Sequence, residues 1–161
     1  MSEPVVIFLA GGGSGGHVFP LLAVAERLRL ALPRLEPIFI GTERGLETRL
    51  VPAAGYRLEL ISALPFRGVG LKGATRSLLS VARSLPRARE LLKRHAPRAV
   101  LSVGGYAAVP MALGAKLAGI PLALMEPNAV PGRALPWAPA HRRVATAGAT
   151  KPPSARASAL P

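Results

Sequence analysis

An α/β fold built on a doubly wound parallel sheet follows from three observations on this chain. Short, β-rich apolar runs alternate with longer helical patterns. The first run, Val5-Val6-Ile7-Phe8-Leu9-Ala10, is apolar throughout, as in a strand buried on both faces. It leads directly into a glycine-dense loop and then a helical pattern, the strand–loop–helix arrangement of a parallel sheet. Strands separated in this way pair in parallel through right-handed crossovers.

The elements are expected in the following order. Strand 4–10 is the apolar run. Helix 17–32 carries the periodic pattern from Leu21 to Leu32. Strand 36–41 ends at Ile40-Gly41-Thr42, and helix 44–53 follows it. Strand 56–62 precedes a long helix over 74–95, in which Pro86 either kinks the helix or begins a second one. Strand 98–103 ends in Gly104-Gly105, helix 106–118 follows, and strand 121–126 ends at Glu126. A weak last strand is expected at 142–147. Residues 1–147 form one domain, long enough to bury a full core. From Arg133 to Pro161 there are five prolines, five basic residues and no acids, and residues 148–161 read as a disordered Pro/Ala/basic tail.

Composition narrows the function. The chain has 161 residues with 21 Lys and Arg against 8 acids, a net charge of +13. All eight acids are glutamate. Such an excess suits an anionic partner, whether nucleic acid, acidic lipid head groups or a phosphorylated substrate, and an arginine-biased genome accounts for it equally well. Aromatic residues are only 4%, which argues against nucleic acid read by base stacking. There is no cysteine, so thiol chemistry and disulfides are excluded. Without Cys or Asp, and with three scattered histidines (17, 95 and 141), no metal site is expected. His95 and His141 lie in basic segments read as exposed and receive no role. No apolar run reaches the roughly 20 residues of a membrane span, and the N-terminus lacks the basic start of a secretory signal. A cytoplasmic protein is the expectation.

The first loop, Gly11-Gly12-Gly13-Ser14-Gly15-Gly16-His17, holds five glycines in six residues. Bare backbone N–H groups and a helix N-terminus together cradle phosphate, and glycine allows close approach and positive φ. A tight turn alone needs only one or two glycines. His17 at the mouth of the loop adds a group that exchanges protons near neutrality. The loop contains Gly11-x-Gly13-x-x-Gly16, so a dinucleotide-binding oxidoreductase is an alternative, with Glu43 as its slightly late ribose acid. A second loop, Gly104-Gly105-Tyr106, follows strand 98–103 and is either another anion nest or a plain turn. Tyr106 either bonds a ligand or covers the core. Glu126 and Asn128 close the fifth strand. They either hold sugar hydroxyls or orient His17, or Asn128 caps the helix after it. All three segments fall at the carboxyl edge of the sheet, where such folds bind ligands.

The segment 64–95 mixes apolar and basic residues. Arg76, Arg83, Arg87 and Arg94 are spaced 7, 4 and 7 apart, on one helical face. Beside Phe66, Leu71 and Lys72 this stripe suits an anionic bilayer surface, and it is also the usual look of a solvated face. A non-catalytic module that binds a membrane surface or a partner is therefore a further alternative.

Taken together, the motifs resemble the N-terminal half of the MurG family of glycosyltransferases, over about Val5 to Arg133. Gly12-Gly13-Ser14-Gly15-Gly16-His17-Val18-Phe19-Pro20 is similar to that family's first glycine loop, with Ser14 where Thr is usual. Gly41-Thr42-Glu43-Arg44-Gly45-Leu46-Glu47 with Leu50-Val51-Pro52 resembles its second-strand exit. Gly104-Gly105-Tyr106 with Pro110 resembles its second loop, and Gly119-Ile120-Pro121 with Glu126-x-Asn128 its fifth strand. Met125 and Pro127 depart from the pattern, which often has His and Gln there, and the tail after Arg133 departs as well.

The resemblance implies a GT-B architecture of two Rossmann-like domains, of which this chain is the acceptor-binding one. It implies inverting, metal-independent transfer, without a cofactor, of N-acetylglucosamine from UDP-N-acetylglucosamine to a lipid-linked muramyl-pentapeptide diphosphate in peptidoglycan synthesis. His17 is then the general base. Gly13, Ser14, Gly15 and Gly16, with Gly104, Gly105, Tyr106, Glu126 and Asn128, contact substrate. Phe66, Leu71, Lys72 and Arg76 meet an anionic membrane at its cytoplasmic face. Most of the UDP-sugar pocket belongs to a C-terminal domain that the 161 residues lack. The chain is expected to be weakly active or inactive alone, as an excised half, a truncated or frameshifted product, or a subunit that works with a separate donor-domain chain.

Overall fold

The computed structural model describes residues 4–62, 71–105 and 107–126, with the backbone alone for 71–78. Among the described residues five strands and four helices alternate: β1 (Val5–Ala10), α1 (Gly15–Ala31), β2 (Leu35–Gly41), α2 (Glu47–Ala53), β3 (Arg57–Leu60), α3 (Leu71–His95), β4 (Ala99–Ser102), α4 (Ala108–Leu117) and β5 (Leu122–Leu124). The strands form one parallel sheet in the order β3-β2-β1-β4-β5. The chain moves outward from β1 to β3, crosses back, and continues from β4 to β5 on the other side. The order therefore reverses between β1 and β4, and a doubly wound sheet opens a crevice there.

The two faces of the sheet are read from alternate residues. Leu9, Phe39 and Val103 pack with Val18, Leu21 and Ala25 of α1 and Val51 of α2. Phe8, Ala10, Ile38, Ile40 and Val100 pack with Ala88, Leu91 and Leu92 of α3 and Met111 and Ala115 of α4. Helices on both faces are what make the central strands apolar without alternation.

The outermost described strands, β3 and β5, are shorter than the sequence suggests. β3 spans four residues, although Ile61 still donates to the Gly41 carbonyl at 2.9 Å. Beside it the Tyr56 ring packs on Phe39 with centroids 5.3 Å apart, and the Arg29 guanidinium lies over the Tyr56 ring, 5.3 Å from its centre. α3 runs unbroken across Pro86. Near that proline, Ser84 Oγ lies 2.7 Å from the Ser80 carbonyl and 2.5 Å from that of Ser62, which ties the helix to the end of β3. The expected strand at 142–147 and tail at 148–161 lie outside the described residues.

Candidate active site

The site grows from the first strand–loop–helix unit. The last three residues of β1 are buried, and Gly11 N–H still donates to the Ile40 carbonyl at 3.1 Å. Gly13 then turns with φ +90°, a conformation that side-chain-bearing residues rarely adopt. Ser14 stands at the N-cap of α1 in extended conformation, yet its hydroxyl does not cap the helix. Ser14 Oγ instead lies 3.1 Å from His17 Nδ1. The His17 and Val18 N–H groups both reach the Ser14 carbonyl, at 3.1 and 3.2 Å. Among the described residues no partner is seen for the N–H groups of Ser14, Gly15 or Gly16.

The second loop leaves β4 directly beside the first. Val103 N–H donates to the Ala10 carbonyl at 3.0 Å, and Gly104 and Gly105 follow, each with φ +88°. A Cβ on Gly105 would sit 2.5 Å from the Gly12 carbonyl oxygen, and one on Gly104 would sit 3.4 Å from His17 Nε2. The two loops thus touch backbone to backbone at the switch point. His17, half-buried, is held at Nδ1 by Ser14 while its Nε2 edge faces Gly104.

Beneath the first loop lies a side chain that the glycine motifs do not mark. Glu47, the first residue of α2, is 1% exposed. Its Oε1 accepts from Thr42 N–H at 2.8 Å and Thr42 Oγ1 at 3.0 Å, and its Oε2 accepts from Gly13 N–H at 2.8 Å. α2 starts three residues later than expected, and in the stretch before it Thr42 and Gly45 lie against this carboxylate. Gly13 N–H, expected to face substrate, is taken by Glu47. One signal in the sequence pointed there: Glu47 and Val51, four apart, share the inward face of α2, and both are buried.

Other predicted residues fall variously. Glu126 follows β5 at the same sheet edge and is half-buried, and Met125 packs against the cluster on the α1 side. Tyr106, Asn128 and Phe66 lie outside the described residues, as do the side chains of Leu71, Lys72 and Arg76. Glu43 is exposed and accepts from Ser62 Oγ at 3.2 Å.

The basic stripe on α3 is partly neutralised. Arg87 pairs with Glu59 at 3.5 Å and with Glu90 at 2.8 Å, and Arg94 also pairs with Glu90. The Arg87 hydrogen bond, and then the charges of Arg87 and Arg94, hold the Glu90 carboxyl below its ordinary range. His95 is not exposed as its basic neighbourhood suggested. Its side chain is 8% accessible, its Nε2 lies 3.2 Å from Glu59 Oε1, and its ring meets Phe8 edge-on at 5.7 Å. The apolar residues around α3 bury the ring, and Glu59 supplies the polar partner that burial demands.

Among the described residues no group of three or more His, Cys, Asp or Glu is placed to hold a metal, and no helix is long and apolar enough to cross a membrane.

Comparison with known proteins places this geometry. Residues 7–146 match the glycosyltransferase family 28 N-terminal domain. The UDP-N-acetylglucosamine--N-acetylmuramyl-(pentapeptide) pyrophosphoryl-undecaprenol N-acetylglucosamine transferase of Sorangium cellulosum is 45% identical over 130 residues, which is 80% of this chain and 32% of that protein. The enzyme of the same name from Pelobacter propionicus is 48% identical over 126 residues, 78% of this chain and 33% of that protein. The crystal structure of Acinetobacter baumannii MurG superposes with a TM-score of 0.67 at 32% identity, over 81% of this chain and 37% of that one. The chain therefore spans about a third of the length of the curated relatives it matches. The dinucleotide reading finds no support in these comparisons. The fold read from the sequence, a doubly wound Rossmann-like half of a GT-B glycosyltransferase, is the one observed.

Proposed function

Because the chain belongs to the glycosyltransferase family 28 N-terminal domain family, we propose that it forms the acceptor-binding side of an N-acetylglucosamine transferase acting in peptidoglycan synthesis. The acceptor is a lipid-linked muramyl-pentapeptide diphosphate and the donor UDP-N-acetylglucosamine, as the names of the relatives at 45% and 48% identity suggest. The observation that carries this reading is the contact of two glycine loops at the switch point, with His17 held over them. The N–H groups of Ser14, Gly15 and Gly16 offer donors to a diphosphate, and Gly104 and Gly105 let the second loop approach closely.

In the reaction the acceptor's sugar 4-hydroxyl oxygen bonds to the anomeric carbon, the bond from that carbon to UDP breaks, and the hydroxyl proton passes to His17 Nε2. Nε2 accepts a proton only in the tautomer whose Nδ1–H donates to Ser14 Oγ. In that tautomer Ser14 Oγ accepts from the ring, and its own hydroxyl proton is left for a phosphate oxygen. No metal or cofactor takes part. Glu126, Asn128 and Tyr106 stand as further substrate contacts. Phe66, Leu71, Lys72 and Arg76 stand as the contacts to an anionic membrane at the cytoplasmic face. Donor binding belongs to the part of the relatives' length that this match does not span, and a chain carrying it is the proposed partner.

A paired calorimetric titration tests the reading. One arm uses UDP-N-acetylglucosamine and the other a short-chain, soluble analogue of the acceptor. The expected result is acceptor binding without nucleotide binding, little change for His17→Ala, and weaker binding for Ser14→Ala. Tight nucleotide-sugar binding with no acceptor binding would refute the division of labour.

A further inference from the structure

We propose that Glu47 is the positioning residue of the phosphate loop: its buried carboxylate takes the Gly13 N–H, ties the loop to the exit of β2, and leaves Ser14, Gly15 and Gly16 as the donors to a phosphate oxygen. The inference rests on the acceptor-diphosphate reading above.

Three features carry it. Glu47 is buried, and among the described residues no Lys, Arg or His forms an ion pair with it. Burying a lone carboxylate is costly unless hydrogen bonds replace its water, and here three donors do so. Second, the surroundings are cleared for this group. A Cβ would lie 2.2 Å from Glu47 Oε1 if added at Gly12, 2.4 Å from its Cγ at Gly41, and 1.9 Å from its Oε2 at Gly45. Glycines from three segments thus make one carboxylate-sized space. An apolar side chain would fill a core more cheaply, so a role in packing alone does not call for an acid. Third, the bond to Gly13 joins residues 34 apart at the point where φ reaches +90°, one residue before the N-cap. Holding that N–H fixes the direction in which the next three emerge.

A negative charge beneath an anion cradle also repels the anion. The two effects have opposite signs in Glu47→Gln, which makes the proposal decidable. The amide removes the charge, but its single oxygen can face either Gly13 N–H or the Thr42 donors, and its NH2 then opposes the other.

Backbone-amide NMR of the whole chain, with inorganic pyrophosphate as the probe, is the test. In the unaltered protein the amides of Ser14, Gly15 and Gly16 are expected to shift on titration, while Gly13 exchanges slowly with solvent and shifts least. In Glu47→Gln, Gly13 exchange should accelerate and pyrophosphate affinity should fall about tenfold, the size of losing one hydrogen bond to a charged group. The thermal midpoint is the accompanying readout, because a purely structural role would move it and leave the affinity of the folded fraction unchanged. Unchanged or tighter pyrophosphate binding in folded Glu47→Gln overturns the proposal. If that variant does not fold, the unaltered protein decides alone: a fast-exchanging Gly13 amide that shifts as much as its neighbours overturns it. If none of the four amides responds to pyrophosphate while Gly13 stays protected, the phosphate reading of the loop fails, and the positioning role falls with it.

Discussion

Replacing Gly105 with alanine probes the contact between the two loops, and Gly55 supplies its control. Both residues have positive φ, +88° at Gly105 and +76° at Gly55. Alanine in this region costs about 1–2 kcal/mol at either site. The surroundings differ. A Cβ at Gly55 meets nothing within 4 Å, whereas at Gly105 it lies 2.5 Å from the Gly12 carbonyl oxygen and 3.1 Å from the Gly12 nitrogen. These are backbone atoms, which cannot rotate aside, so the loops must part by ~1 Å to restore normal contact, at an overpacking cost of about 1–3 kcal/mol. Gly55→Ala is therefore expected to lose about 1–2 kcal/mol and Gly105→Ala about 2–5 kcal/mol. In a chain of this size each kcal/mol lowers the melting temperature by about 2–4 °C, so calorimetry resolves the two. Acceptor-analogue affinity should fall in Gly105→Ala and hold in Gly55→Ala, which lies in the turn before β3, away from the loops. Equal destabilisation of the two variants, within about 0.5 kcal/mol, would refute the idea that the loops are locked together.

Two further outcomes are expected. Leu91 is fully buried among Phe8, Val100 and Met111, so Leu91→Ala should cost about 2–5 kcal/mol in urea unfolding without changing the denaturant slope; a loss below about 1 kcal/mol would mean α3 is not seated on the sheet. Glu90 has a folded-state pKa lowered by its hydrogen bond to Arg87 and by the charges of Arg87 and Arg94. Its contribution to stability is thus complete above the ordinary carboxylate value and is lost as the pH falls through the lowered one. Glu90→Gln should flatten the acid limb of the stability profile by a small amount that shrinks in high salt, since the pair is exposed; an unchanged acid limb at low salt would remove the pair from the account.

Much of the architecture was legible in one dimension. β1 reads as a doubly buried strand because Val5 to Ala10 lacks polar residues, and its glycine loop follows at once. Period and punctuation are local properties, so strands and helices could be placed to within a few residues. The shortfalls occur where distant groups intervene. β3 and β5 are shorter than their apolar runs, and among the described residues each pairs with a single neighbour, so fewer ladder bonds hold their ends. α3 passes Pro86 because its apolar face is held on the sheet by Ala88, Leu91 and Leu92, which outweighs one missing backbone bond.

By itself, the sequence determined the fold class, the carboxyl-edge position of the glycine loops, and the placement of His17 at the mouth of one of them. These depend on periodicity, on glycine spacing and on the chain direction of a parallel sheet. Only the tertiary structure decided which groups meet there. Glu47 reaches Gly13 because β1 and β2 lie side by side, and Gly105 reaches Gly12 because β4 lies on the other side of β1. The same packing buries His95 against Phe8 and Glu59, in a segment whose local charge argues for exposure. Contacts across the sheet arise from strand order, and strand order is a property of the packed core rather than of any local run of residues.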